Sequence, residues 1–262
     1  MYQFLSRYYE MLFPYKQYVE WKSFARPIIQ KSRAVRSCKH RGEKPVVVDA
    51  GCGTGALADL LATYYEVIAI DISADMLDQA LKNYPDKGIT WVCQDIAKME
   101  IGKAAAAVFA TTDTLNHITN LKKLNAFFKR AYHALESGGY LFFDVVTENF
   151  FELFYEDGRC SFEDFDWGSF FWSCQYNHGT QKAVYEVSCF EKCAGSETLY
   201  RRTDEQITER VWPNAVLLEG LRNAGFRNIE LYPDIFPGCS PRSPWETFPG
   251  GEDRLYFVCE KP

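Results

Sequence analysis

The chain lacks most of the features that would assign it at a glance. Its nine cysteines include no Cys-x-x-Cys, and the closest pair, Cys189 and Cys193, has no histidine pair nearby to complete a zinc set. No metal site is therefore expected. The cysteine count is odd and the spacing scattered, in a chain of 262 residues that needs no staples, so the thiols read as reduced and cytosolic. The N-terminus shows no basic start followed by an apolar run, so no secretory signal is visible. The longest apolar run, Ala104 to Ala110, falls far short of a membrane span. These absences point to a soluble, cytoplasmic protein without a membrane partner. Positive charge is not in excess either. Twenty-nine Lys and Arg against 35 Asp and Glu leave a net charge of −6, which disfavours a nucleic-acid partner. Repeats and low-complexity tracts are missing, and 47% hydrophobic with 24% charged residues excludes wholesale disorder.

What is abundant is aromatic: 20 Phe, 16 Tyr and 6 Trp make 16% of the chain. They crowd into residues 1–30, which read as helical, and into residues 150–176, where eleven fall between Phe150 and Tyr176. A basic stretch (Lys31, Arg33, Arg36, Lys39, Arg41, Lys44) reads as a solvated helix end and linker. From Val46 the pattern becomes regular. Val46–Val48, Val67–Ile70, Ile89–Cys93, Ala105–Thr111 and Tyr140–Val146 are strand-like, and helical patterns separate several of them. Ser73 is placed to cap the helix that Pro85 stops. This alternation predicts a parallel α/β sheet with right-handed crossovers. After Val146 the rhythm breaks. Ser169–Gln175, Ala183–Phe190 and Thr198–Val211 read as antiparallel hairpin strands with turns at Asn177-His178-Gly179 and Ala194-Gly195-Ser196. A helix from Pro213 to Ala224 and strands at Asn228–Tyr232 and Arg254–Glu260 follow, with a Pro/Gly loop between the strands.

The first strand runs into Asp49-Ala50-Gly51-Cys52-Gly53-Thr54-Gly55 and then a helix, a geometry that brings backbone close to a ligand. The same glycines, with Asp71 twenty residues on, also satisfy a dinucleotide pattern. Asp49 separates the two readings. A carboxylate at that strand end repels a pyrophosphate and attracts a cationic ligand. Asp49, Asp71 and Asp95 stand at the ends of three successive strands and converge on one crevice.

Val47 to Gly55 resembles the first motif of the class I S-adenosylmethionine-dependent methyltransferases. Ile70-Asp71-Ile72-Ser73 with Met76-Leu77 resembles the acidic element that follows it, and Cys93-Gln94-Asp95-Ile96 resembles the second motif. Leu135-Glu136-Ser137-Gly138-Gly139 is similar to the turn before strand five, departing from the usual pattern at Glu136 and Ser137. Leu221 to Phe226 is similar to the last helix and turn. The resemblance covers about residues 45–146 and that last segment. It implies a Rossmann-like α/β fold: a seven-stranded, mostly parallel sheet whose last strand is antiparallel, plus an antiparallel β lid inserted after strand five. Residues 1–146 and 212–262 are then the cofactor domain, with residues 1–30 as a helical cover and 147–211 as the lid. The cofactor implied is S-adenosyl-L-methionine, leaving S-adenosyl-L-homocysteine. Its expected contacts are Asp49, Gly51, Cys52, Gly53, Gly55, Asp71, Ile72, Met76, Asp95, Ile96, Thr112 and Tyr9.

Methyl transfer from a sulfonium needs orientation, exclusion of water and, for some acceptors, a base. The loop Thr111 to His117 follows strand four onto the same crevice, and there His117 is the candidate base and Asp113 a candidate partner for an amine. Asn116, Tyr8, Arg210 and Trp172 are candidate substrate contacts. Aromatics beside the acids of Asp144–Asp166 suit a cationic or amine-bearing small molecule, the other reading being a self-packed lid with solvated acids. The expected activity is methyl transfer to a nitrogen or oxygen of a small-molecule acceptor by a monomer or homodimer. An NAD(P)-dependent oxidoreductase and a non-catalytic S-adenosylmethionine-binding protein are the alternatives. Nucleic-acid methylation is disfavoured further by the absence of an Asn/Asp-Pro-Pro-aromatic element.

Overall fold

The alternation that starts at Val46 does wind into one sheet. The computed structural model describes residues 2–13, 15–32, 35, 36, 38, 42–155, 160–196, 198–236, 239–242 and 251–262. Arg33, Lys39 and Arg41 of the basic stretch, Glu156, Asp157 and Arg159 of the acid-rich stretch, and residues 243–250 of the Pro/Gly loop lie outside the described residues.

Strands β1 (Val46–Ala50), β2 (Glu66–Asp71), β3 (Thr90–Cys93), β4 (Ala105–Ala110), β5 (Leu135–Val146), β10 (Arg227–Tyr232) and β11 (Arg254–Glu260) are ordered β10-β11-β5-β4-β1-β2-β3. The pairs β1–β2, β2–β3, β1–β4 and β4–β5 are parallel, and β11 is antiparallel to both its neighbours. The chain order reverses beside β1, which opens a crevice at the strand ends where α/β sheets bind ligands. Every residue of β4 is buried, as expected of a strand covered on both faces. One cover is α2 (Lys16–Ile29), α3 (Ala56–Ala62) and α4 (Ala74–Asn83), with Trp21, Ala25, Leu57, Leu61 and Leu77 in the core. The other is α5 (Leu121–Ala134) and α7 (Asn214–Ala224), with Phe127, Phe128, Leu217 and Leu221. Ser73 caps α4 through the Met76 amide at 3.3 Å, and Asn120 caps α5 through Lys122 at 2.9 Å.

Strand β5 begins earlier than its apolar run suggests. Ala105 pairs with Leu135 and Ala107 with Tyr140, so Glu136–Gly139 loops out of the ladder. Gly138 takes φ +80° there, and its N–H donates to the Lys261 carbonyl at 2.7 Å.

A second, four-stranded antiparallel sheet follows, β6 (Cys160–Phe165), β7 (Gly168–Asn177), β8 (Lys182–Lys192) and β9 (Tyr200–Arg210), in sequence order. The helix α6 (Glu148–Tyr155) precedes it. Neither α6 nor β6 is legible in the sequence. In β6 nearly every side chain is exposed, so no apolar alternation marks the strand. Its alignment comes from β7, which pairs Phe162 with Phe171. The inner face of this sheet buries Phe170, Val187, Cys189 and Ile207 against Phe4 and Leu5. Tyr8, just before α1 (Tyr9–Leu12), stacks on Trp167 with ring centroids 4.1 Å apart. The N-terminal segment thus packs on the second sheet, while α2 packs on the first.

Candidate active site

The glycine loop is shaped by what surrounds it. Gly51 sits at φ +81°, and a Cβ there would lie 2.5 Å from Thr114 Cγ2, so the loop after β4 packs directly onto it. A Cβ on Gly53 would meet nothing within 4 Å, which leaves that stretch of backbone open to a ligand. Asp71 Oδ2 accepts the Gly53 N–H at 2.9 Å and Oδ1 the Ser73 N–H at 2.8 Å. A carboxylate has about four acceptor positions, so capacity for a ligand remains. Asp49 is 1% exposed, and its Oδ2 has no hydrogen-bond partner. Burial, followed by the charge of Asp71, pushes its carboxyl up to about 7. A buried carboxyl with one unpartnered oxygen beside open backbone fits a cationic ligand and opposes a diphosphate.

The other expected cofactor contacts divide. Ile72 is 64% exposed at the crevice edge, whereas Met76 and Ile96 are buried. Cys52 is buried, its thiol pushed well up by burial, and it donates weakly to the Gly53 carbonyl at 3.8 Å. Asp95 caps a turn through the Ala97 amide at 2.9 Å and pairs with Lys123 at 2.9 Å. Burial opposes its ionisation, but these contacts outweigh that and hold the carboxyl below its usual range.

The loop after β4 contains two consecutive non-glycine residues in the left-handed region, Thr112 at φ +58° and Asp113 at φ +62°. Such backbone costs about 1–3 kcal/mol per residue and persists only where neighbours hold it. Asp144, fully buried on β5, does the holding. It accepts the Thr112 N–H at 2.6 Å and the Asp113 N–H at 3.3 Å. Arg254 of β11 closes the cluster by pairing with both Asp113 and Asp144. An acid within an apolar strand is the signal that singles out Asp144, although the sequence pattern alone groups it with the lid acids.

Between this loop, the N-terminal segment and the second sheet lies a cleft of about 280 Å³. Thr112, Asp113, His117, Tyr9 and Trp172, all expected at a site, line it. Tyr2, Glu209 and Arg254 also line it and are not among the expected residues. The Tyr2 hydroxyl is 3.1 Å from His117 Nε2, and Glu209 Oε1 is 3.8 Å from the same nitrogen. Burial pulls the His117 imidazolium down, with Asp113 opposing, so the ring is neutral near pH 7.

Three candidate substrate residues are placed otherwise and do not line this cleft. Asn116 is fully buried and spends its amide on backbone: its NH2 donates to the Val146 and Arg210 carbonyls at 3.3 and 3.0 Å, and its oxygen accepts the Val146 N–H at 3.1 Å. It ties β9 to β5. Tyr8, besides its stacking on Trp167, donates to Glu191. Arg210 lies over the Trp212 ring at 4.3 Å and donates to the Thr119 carbonyl at 3.3 Å. Away from the cleft, exposed Glu148, Glu152 and His178 bring ligand-type atoms within 4.8 Å of one another. His178 Nδ1 meets Glu148 at 2.8 Å, and Glu152 follows one turn later on the same helix.

Comparison with known proteins agrees with this geometry. Residues 47–139 match the methyltransferase-domain family. A Geobacillus sp. (strain WCH70) protein named as a methyltransferase is 27% identical over 263 residues, covering 99% of both chains. A Clostridium acetobutylicum S-adenosylmethionine-dependent methyltransferase superposes with TM-score 0.71 at 21% identity, over 93% of this chain and 91% of that one. The sugar N-methyltransferase KedS8 of Streptoalloteichus sp. superposes with TM-score 0.69 at 16% identity, over 93% and 87%. No described helix is long and apolar enough to cross a membrane. With the strand order, the glycine loop and its acids already in place, the match identifies residues 47–139 as a methyltransferase domain, within a chain that shares the fold of S-adenosylmethionine-dependent methyltransferases.

Proposed function

We propose that the enzyme methylates a nitrogen or oxygen of a small molecule held in the cleft between the glycine-loop sheet and the four-stranded sheet. The observation that carries this reading is the meeting of Thr112, Asp113 and His117 with Tyr9 and Trp172 around one cavity beside the glycine loop. Residues 147–211 act as the lid and the N-terminal segment as the cover. An amine nitrogen is the favoured acceptor, because Asp113, Glu163 and Glu209 line the cleft with aromatic rings, and Arg254 in the same lining is already paired.

S-adenosylmethionine supplies a methyl group on a sulfonium, already activated for displacement. The protein's own residues do the rest. Asp71 and the open Gly53 backbone hold the ribose end, exposed Ile72 with Met76 and Ile96 flanks the planar base, and Asp49 faces positive charge. Asp95 borders the base and offers what acceptor capacity Lys123 leaves. Thr112 and Tyr9 border the reacting end. Tyr2, Tyr9 and Trp172 exclude water, and alignment alone contributes on the order of 7–11 kcal/mol in favourable intramolecular cases. His117, neutral and in the cleft, accepts the proton that the acceptor must lose.

Calorimetry tests the cofactor half. S-adenosylmethionine and S-adenosylhomocysteine are expected to bind while NAD stays silent, and binding that survives Asp71→Ala unchanged counts against the assigned contacts. A product-release assay across matched amines and alcohols tests the acceptor half. His117→Ala should lower turnover about 10²–10⁴-fold, the usual range for a general base, and equal activity removes it from that role.

A further inference from the structure

Seven Phe, Tyr and Trp residues line the cleft, and each is only half-buried. Tyr2, Tyr9 and Phe13 come from the N-terminal segment and meet Trp172 of β7 in a chain of contacts. Ring centroids lie 5.9 Å apart for Tyr2 and Tyr9, 4.5 Å for Tyr9 and Phe13, and 6.0 Å for Phe13 and Trp172. On other elements, Phe150 and Tyr155 of α6 meet at 6.1 Å, and Tyr155 meets Tyr185 of β8 at 5.7 Å. The Tyr2–Tyr9, Phe13–Trp172 and Tyr155–Tyr185 contacts are close to perpendicular, at 83°, 81° and 87°. Rings so arranged present walls at several angles around one cavity rather than a single stack. The N-terminal side is fixed from β9, where Glu205 accepts the Gln3 and Leu5 backbone N–H groups.

The polar groups of the same lining set the sign of what those walls can hold. Asp113, Glu163 and Glu209 are acids, while Arg254 is paired with Asp113 and Asp144. Burial holds His117 neutral near pH 7, so it adds no positive charge. Among the described residues the lining therefore carries no unpaired cation. Its acids are poor partners for several N–H groups at once. Asp113 is spent on Arg254, burial pushes the Glu209 carboxyl well up, and Glu163 stands exposed on β6. A primary ammonium brings three N–H donors to be satisfied, and each alkyl group replaces one donor with apolar surface. Aromatic faces attract such a cation through the ring quadrupole, which is how quaternary ammonium groups are recognised.

We propose that the cleft is an aromatic cage for an alkylated ammonium, so that the acceptor is a secondary or tertiary amine rather than a primary amine or an alcohol. This rests on the reading of an amine acceptor in this cleft and narrows it by class. The acceptor enters with a free lone pair. Its nitrogen–carbon bond forms as the carbon–sulfur bond breaks, and the electron pair stays on sulfur. A secondary amine becomes a tertiary ammonium, whose proton passes to His117. A tertiary amine becomes a quaternary ammonium and has no proton to lose, so that transfer needs no base. In both cases the positive charge that leaves sulfur appears on nitrogen inside the cage, where the ring faces attract it.

Three small probes test the cage on full-length enzyme saturated with S-adenosylhomocysteine, so that the cofactor crevice is already filled. Choline carries both the alkyl groups and the charge, 3,3-dimethylbutan-1-ol the alkyl groups alone, and ethanolamine the charge alone. Saturation transfer to the probe's own proton signals reads binding, so variants that lack an indole are measured in the same way. Choline should bind about tenfold more tightly than either of the other two. Trp172→Leu and Tyr185→Leu should each reduce that advantage, while Trp172→Phe, which keeps a ring, should retain most of it. Calorimetric binding of S-adenosylhomocysteine shows that each variant is folded. Equal affinity for choline and 3,3-dimethylbutan-1-ol, a preference for ethanolamine, or no transfer to any probe overturns the proposal. So does a choline advantage unchanged in both leucine variants. The product-release assay separates the two readings. Turnover of primary amines without a choline preference removes the cage alone, whereas turnover of alcohols only removes the amine acceptor with it.

Discussion

The two sheets of this enzyme treat most of their buried charge differently, although Asp49 of the first shares an unpartnered oxygen with Glu209 of the second. In the seven-stranded sheet Asp71 and Asp144 sit at strand ends or within the core, and backbone N–H groups meet both. In the four-stranded sheet Glu209 is nearly as buried, but one of its oxygens meets nothing. The first arrangement fixes a loop before a ligand arrives. The second leaves an acid waiting for a proton or a donor. A parallel sheet wound by helices can supply amide groups at its strand ends, whereas an antiparallel sheet spends its amides in its own ladder. That difference fits the proposed division of labour: a preformed cofactor crevice on one side and a reactive, adaptable acceptor wall on the other.

The sharpest way to break this contrast is at Arg254, the countercharge of the first sheet. Arg254→Met strands Asp113 and Asp144 without their cation and should cost about 3–5 kcal/mol, read as a fall in the denaturant midpoint. A much smaller loss would show that the amides alone satisfy Asp144. Glycines allow a paired test of the two halves. Gly51→Ala forces a side chain to φ +81° and into Thr114, and should weaken S-adenosylhomocysteine binding about 100-fold, on the order of 3 kcal/mol. Gly168→Ala would drive a Cβ to 2.1 Å from the Phe190 carbonyl oxygen, so it should disturb the second sheet and leave that binding nearly unchanged. Equal effects on binding would mean that the halves are not separable.

A pH titration tests Asp49, the first-sheet carboxyl with an unpartnered oxygen. The folded pKa of Asp49 is raised to about 7 from the ordinary aspartate value of 3.8, so its contribution to apo stability is full below about pH 4 and is lost as pH rises through 7. A cationic ligand that prefers the ionised form should bind up to about tenfold more tightly per pH unit as pH rises toward 7, and level off above it. Asp49→Asn should flatten that slope, which calorimetry between about pH 5.5 and 8.5 would show. The smallest effect belongs to the exposed strand β6. Phe162, 62% exposed, contributes little packing, so Phe162→Ser should move stability by no more than about 0.5 kcal/mol.

Sequence determined the first half of this molecule almost alone. Buried parallel strands need continuous apolar runs, the glycine loop needs residues free of a Cβ, and both demands leave marks in the order of residues: β1, β2, β4 and the acids at their ends are legible without coordinates. Tertiary structure decided the second half. Strand β6 exists because β7 offers it a ladder, and Asn116 is a tie between β5 and β9 because both backbones reach it. Glu209, Tyr2 and Arg254 share a cleft although they lie far apart along the chain. Their meeting depends on which sheet face each strand turns inward and on where the first residues are anchored. Pairing across such distances is a property of the packed chain and leaves no periodic trace in a single sequence.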